Sequence, residues 1–168
     1  MIITQSTAGA LQALYDYFFN LNSFFDNQYS WLDIHSMLKS QSWVHSYWSH
    51  SFTGSDGADG LGDYMILCGV RPVRNTNPAN VYEYDNFTEL FADMYDEILK
   101  FKEAIYNAID IADKNRDMNV RTFLEDYVTN VITEKIHQAL ILKEKAIELE
   151  GKPAKFDKYF EDFLIIGK

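Results

Sequence analysis

Three aspartates are the first residues whose spacing could do chemistry. Asp56, Asp59 and Asp63 stand at i, i+3 and i+7, and a helix would set them on one face. Carboxylates so placed repel one another, and a divalent cation relieves the repulsion by taking hard oxygen ligands. Half of the chain's 8 glycines fall in the same stretch, between Gly54 and Gly62. If they unwind the helix, the same aspartates suit a calcium-type loop. A second pattern is Glu134-Lys135-Ile136-His137. Glu and His three residues apart share a helical face and offer the O and N donors of a metal-ligand pair. Each set also has an ordinary reading: a solvated acidic face for the aspartates and a surface histidine for the pair. His35, His45 and His50 lie near the first turn, as metal ligands or as hydrogen-bonded imidazoles.

The charge balance narrows the partners. With 15 Lys+Arg against 25 Asp+Glu, the net charge of −10 argues against nucleic acid, whose usual footprint is a basic face. It suits cations. The one cysteine, Cys68, rules out an internal disulfide framework or a multi-cysteine metal site and reads as a small buried hydrophobe. No apolar run approaches the ~18 residues of a membrane span, and the first twenty residues carry no basic residue ahead of their apolar stretch, so a cytoplasmic protein is expected.

Four long segments must position these residues. Leu11, Leu14, Phe18, Leu21, Phe25, Gln28 and Leu32 step by three and four, predicting a helix over about 7–38 in which only Gln28 interrupts the apolar stripe. Lys39 to Ser42 reads as a turn, with Ser42 as N-cap of a second helix over 43–68. That helix is aromatic at its start (Trp43, Tyr47, Trp48, Phe52) and glycine-weakened afterwards. With Trp31, its aromatics form core or a subunit interface. Gly69 and Pro72 end it. A crossover without sustained period follows to Asp85, and Asn86 or Asp85 caps a third helix over 87–113. Phe87, Phe91, Met94, Ile98, Phe101, Ile105, Ala108 and Ala112 form its unbroken stripe. After the turn Asn115-Arg116-Asp117, a fourth helix runs over 119–150, and Gly151 and Pro153 end it. A short amphipathic helix over 156–165 closes the chain. Residues 1–168 therefore read as one all-α domain. Two antiparallel hairpins joined by a long crossover make a ferritin-like four-helix bundle.

From Trp48 to Leu164 the chain resembles non-haem bacterial ferritin. The carrying residues are Gly69-Val70-Arg71-Pro72, the spacing up to Glu89-Leu90-Phe91, the stretch Asp117 to Val128 and the tail Lys155 to Leu164. A second resemblance, to the Dps-like branch, rests on Gly69-Val70-Arg71-Pro72-Val73 and Asp59-x-x-x-Asp63. The ferritin branch fits better because of the fifth helix. The resemblance implies a homo-oligomeric cage, a 24-mer rather than a 12-mer, and iron as the bound metal. It also implies a di-iron ferroxidase centre, but the ligand positions fall on Leu21, Gly54, Gly57, Ile98 and Val131, with Glu97 beside Ile98. The expected function is thus an iron-binding or iron-storing cage subunit of light-chain type without the usual centre. Asp56, Asp59, Asp63, Glu97, Glu134 and His137 are its candidate metal residues. One alternative is a Dps-like mini-cage oxidising iron between subunits, where Asp59 and Asp63 would join His35 and His45. The other is a metal-free helical-bundle interaction protein. Neither needs DNA, since the N-terminal arm has no Lys or Arg before Lys39.

Overall fold

The computed structural model describes residues 1–78 and 82–166. Their regular structure is entirely helical: α1 (Gln5–Ile34), α2 (Leu38–Trp43), α3 (Ala58–Leu67), α4 (Phe87–Lys114), α5 (Met118–Tyr127), α6 (Thr133–Glu148), α7 (Pro153–Lys158) and α8 (Phe160–Ile166). A π turn, Val44–Ser49, and a 3₁₀ turn, His50–Phe52, extend α2. A second π turn, Val128–Ile132, splices α5 to α6. These pieces build four helical columns: α1, α2 with α3, α4, and α5 with α6. Columns one and two form one antiparallel pair, columns three and four the other, and α4 packs along both α1 and α6.

The α4 column is what its sequence dictates. The stripe from Phe87 to Ala112 is buried throughout. Asn86 caps it, its side-chain oxygen accepting from the Glu89 amide at 3.0 Å, which satisfies one otherwise orphaned N–H. The helix ends expected at Gly69 and Gly151 are present, both glycines lying in the left-handed region (φ +76° and +74°) that glycine enters without a Cβ penalty. Gln28, the polar residue in the α1 stripe, is fully buried. Two hydrogen bonds offset its desolvation, to Leu90 O and Tyr84 Oη, each at 3.1 Å.

Three features differ from the sequence reading. First, α1 ends at Ile34, and the turn is His35–Met37, with Ser36 at φ +60°. Lys39 to Ser42 is helical, and Ser42 caps nothing. The amides of Lys39 and Ser40 are instead bound by the Asp157 carboxylate of α7, 2.8 Å from Ser40 N. A carboxylate at a helix N-terminus accepts from the open N–H groups and is stabilised by the positive end of the helix dipole. Second, the expected helix 43–68 is broken between Phe52 and Ala58. Third, the closing segment is two short helices, with Pro153 in the first turn of α7. Across the crossover, Val73 and Tyr82 are tied to α1 through Gln12 and Asn27. Its residues 79–81 lie outside the described ones.

Candidate metal centre

The broken column decides where the candidate residues sit. Gly57, just before α3, has φ −148° and ψ −132°, outside both the helical and the β regions, and a Cβ there would stand 2.2 Å from the Phe52 carbonyl oxygen. A Cβ on Gly60 would stand 2.0 Å from the Ser55 carbonyl oxygen. The chain folds back on itself so closely that only glycine fits at either position. The break also separates the aspartates. Asp56 lies in the turn ahead of α3, so it does not share a helical face with Asp59 and Asp63, which stand one turn apart on the exposed side of α3.

Aromatic rings pack much of the bundle centre. Phe25 and Phe52 stack at 5.4 Å, Trp48 meets Phe25 edge-on at 5.0 Å, and Phe101 meets Phe18 at 5.1 Å. Trp48, Phe52 and Phe101 are fully buried, and Trp31 nearly so. Trp43 is half-buried and Tyr47 exposed. The aromatic segment is therefore mostly core. Leu21 and Ile98 are fully buried in the same cluster. Together with Gly54, Gly57 and Val131 they supply hydrocarbon and bare backbone at the five positions where the resemblance places iron ligands. Such side chains carry no oxygen or nitrogen donor, so this set does not fit a di-iron group.

Glu97 does not fill the gap. It is half-buried on α4 beside Ile98, and Tyr17 Oη donates to its carboxylate at 3.2 Å. Burial pushes the Glu97 carboxyl above the usual range, with the Tyr17 hydrogen bond opposing. Burial and the Glu97 charge push the Tyr17 phenol up in turn.

A cation does occupy the interior, and the sequence reading passed over it. Lys135 is only 8% exposed. Its ammonium donates to Tyr47 O at 3.0 Å and Ser51 Oγ at 2.9 Å, and stands 5.0 Å and 4.9 Å from the Trp48 and Phe52 ring centres. No carboxylate among the described residues comes within ion-pair distance of it. Burial pushes its pKa down to about 8, with Asp56 and Glu134 pulling the other way. The π turn at Val128–Ile132 shifts the α6 register just ahead of it. A lysine between Glu134 and His137 looks like part of a polar face; only the packing of the neighbouring column turns it inward.

Asp56, Glu134 and His137 line one cavity of about 550 Å³ with Lys135. Asp59 lies elsewhere, in a cleft of about 530 Å³ with Asp26, His50 and Arg74. His45 packs between the Tyr29 and His50 rings, at 4.2 Å and 4.4 Å. His35 stacks on Trp31 at 3.8 Å, its Nδ1 2.8 Å from Trp31 O, and so does not join His45. Among the described residues, no three His, Cys, Asp or Glu side chains come together as a metal-holding group. No helix among them is long and apolar enough to cross a membrane.

No protein-family model and no curated protein matches this chain. Solved structures do. An open-pore ferritin from the hyperthermophilic archaeon Archaeoglobus fulgidus superposes with a TM-score of 0.87 at 17% identity, over 96% of this chain and 98% of that one. The chain has the ferritin-like fold. A ferritin from Chlorobium tepidum matches with a TM-score of 0.80 at 16% identity, over 95% of this chain and 96% of its own. A closed form of the Archaeoglobus ferritin, engineered by site-directed mutagenesis, gives 0.86 at 17%, over 96% of each chain. In this ferritin-like bundle the match extends over nearly the whole chain. Within it, the second column breaks between Phe52 and Ala58.

Proposed function

We propose that this chain is a subunit of a cytoplasmic, cage-forming homo-oligomer that binds and stores iron without a di-iron ferroxidase centre. The observation that carries the proposal is the extent of the match: nearly the whole chain superposes on nearly the whole of two ferritin chains. A 24-subunit cage is the favoured size. The lack of oxygen or nitrogen donors on the side chains of Leu21, Gly54, Gly57, Ile98 and Val131 supports storage without internal oxidation. Iron would then meet carboxylates outside the bundle centre, with Asp56, Glu134 and His137 along one cavity and Asp59 and Asp63 on α3, as suits a chain of net charge −10. The test is mass photometry of the purified protein with metal analysis and Fe(II) oxidation kinetics. An assembly of hundreds of kDa that retains iron yet oxidises Fe(II) no faster than buffer is expected. A monomer or simple dimer refutes the cage, and fast oxidation refutes the missing centre.

The Dps-like alternative would draw on Asp59, which lines a cleft with Asp26 and His50 without forming a metal-holding group within one chain. That reading requires peroxide-dependent Fe(II) oxidation that disappears in the Asp59→Ala/Asp63→Ala double variant. Unchanged kinetics in that variant remove it. The aromatic filling of the centre suits the third reading, a metal-free interaction bundle, which a small oligomer purified without iron from iron-rich culture would favour.

A further inference from the structure

The break in the second column leaves a space as well as a turn. A pocket of about 260 Å³ runs from the turn at Ser55–Gly57 down to core residues of α1 and α4. Phe18, Leu61, Phe101 and Ile105 wall it, and all four are buried. Gly57 and Gly60 line it as bare backbone, and Val131, half-buried, stands at its side. Two of the five positions where the resemblance puts iron ligands, Gly57 and Val131, thus face an apolar hollow.

Three observations set what such a hollow takes. Its walls are hydrocarbon and aromatic, and they reach fully buried residues, so an apolar body gains by entering. Its volume lies below the common range for drug-sized ligands and above the roughly 150 Å³ that holds a single benzene ring in an engineered lysozyme cavity. Its rim carries two carboxylates, Asp56 and Asp126, and an amide, Asn130. Tyr127 Oη donates to the Asp56 carbonyl at 2.8 Å, pinning the rim turn to α5. Carboxylates accept hydrogen bonds and repel anions.

We propose that this pocket binds a neutral aromatic molecule of one or two rings that carries a hydrogen-bond donor. The rings lie against Phe18, Phe101 and Ile105, and the donor points outward to the acidic rim. The proposal is independent of iron storage, since it needs neither a cage nor a metal.

Phenol and benzoate test it, having the same ring and opposite prospects at the rim. Each is titrated into the full-length protein at neutral pH while the methyl NMR signals of Leu61 and Ile105 are followed. Phenol is expected to shift those signals saturably at millimolar concentration, one molecule per chain, with benzoate at least about tenfold weaker. Val131→Trp fills the side of the pocket from a half-exposed position, and should weaken phenol by at least about tenfold with little change in melting temperature. Three results overturn the proposal: no phenol-induced shift at Leu61 and Ile105, equal binding of benzoate, or undiminished phenol binding in a folded Val131→Trp. The first two are read on the unmutated protein, so the test stands even if the variant fails to fold.

Discussion

The two helical pairs of this bundle follow the same plan and treat their midpoints differently. α4 runs through its midpoint as unbroken helix, with a buried residue at every three–four step from Phe87 to Ala112. The second column changes at its middle from α-helix to a π turn, a 3₁₀ turn, a glycine turn and helix again. The fourth column, opposite, carries one π turn and then sends Lys135 against the π and 3₁₀ turns of the second column. The lesson concerns what holds a bundle centre that lacks ligands. Here rings pack much of the volume and leave one apolar hollow, glycines absorb the turn, and the Lys135 ammonium is buried among the rings.

The comparison can be broken by substitution, from the largest effect down. Phe52→Ala removes a fully buried ring that contacts Phe18, Phe25, Trp48 and Phe101. Chemical denaturation should report a loss of about 3–5 kcal/mol; a loss under about 1 kcal/mol would mean the centre is not packed as described. Gly57→Ala drives a Cβ into the Phe52 carbonyl and should cost about 2–3 kcal/mol. If it is neutral, the glycine turn is not required.

Lys135→Met sharpens the electrostatic half of the comparison. The folded pKa of about 8 lies below the ordinary lysine value of about 10.4. The unfolded chain therefore binds more protons between these values, and the stability of the unsubstituted protein rises with pH across that window. At pH 7 the ammonium is buried at a cost, so Lys135→Met should gain about 1–2 kcal/mol. The gain should shrink as pH climbs from 8 towards 10.4. A gain independent of pH would leave desolvation of the ammonium without a role. The smallest effect is the control in the regular helix. Gly9 is exposed in α1, and a Cβ added there would meet nothing within 4 Å. Gly9→Ala should stabilise by about 0.5–1 kcal/mol in the same denaturation experiment.

The same contrast marks how far the sequence could be read. Periodicity predicts α1 and α4, because their apolar stripes are continuous and their partners simply cover them. Asn86 is legible as a cap because its partner, Glu89 N, lies three residues away. The cap on α2 is not, because it comes from Asp157, more than a hundred residues along the chain. Periodicity also runs a helix through Thr53–Gly57, where a steric fact about carbonyl oxygens ends it, and so puts Asp56 on a face it does not share. Lys135 looks like surface between Glu134 and His137, since no local pattern records a π turn that rotates a helix by a fraction of a turn. The substitution of hydrocarbon and glycine at the ligand positions, by contrast, is visible from residue identities alone.

The most direct test of the closed centre is anomalous diffraction from crystals soaked in Fe(II) or Zn(II). No peak is predicted in the space between Leu21, Gly57, Ile98 and Val131, with any bound metal confined to carboxylates outside it. A well-occupied peak among those four residues would contradict the proposal that no di-iron centre forms there.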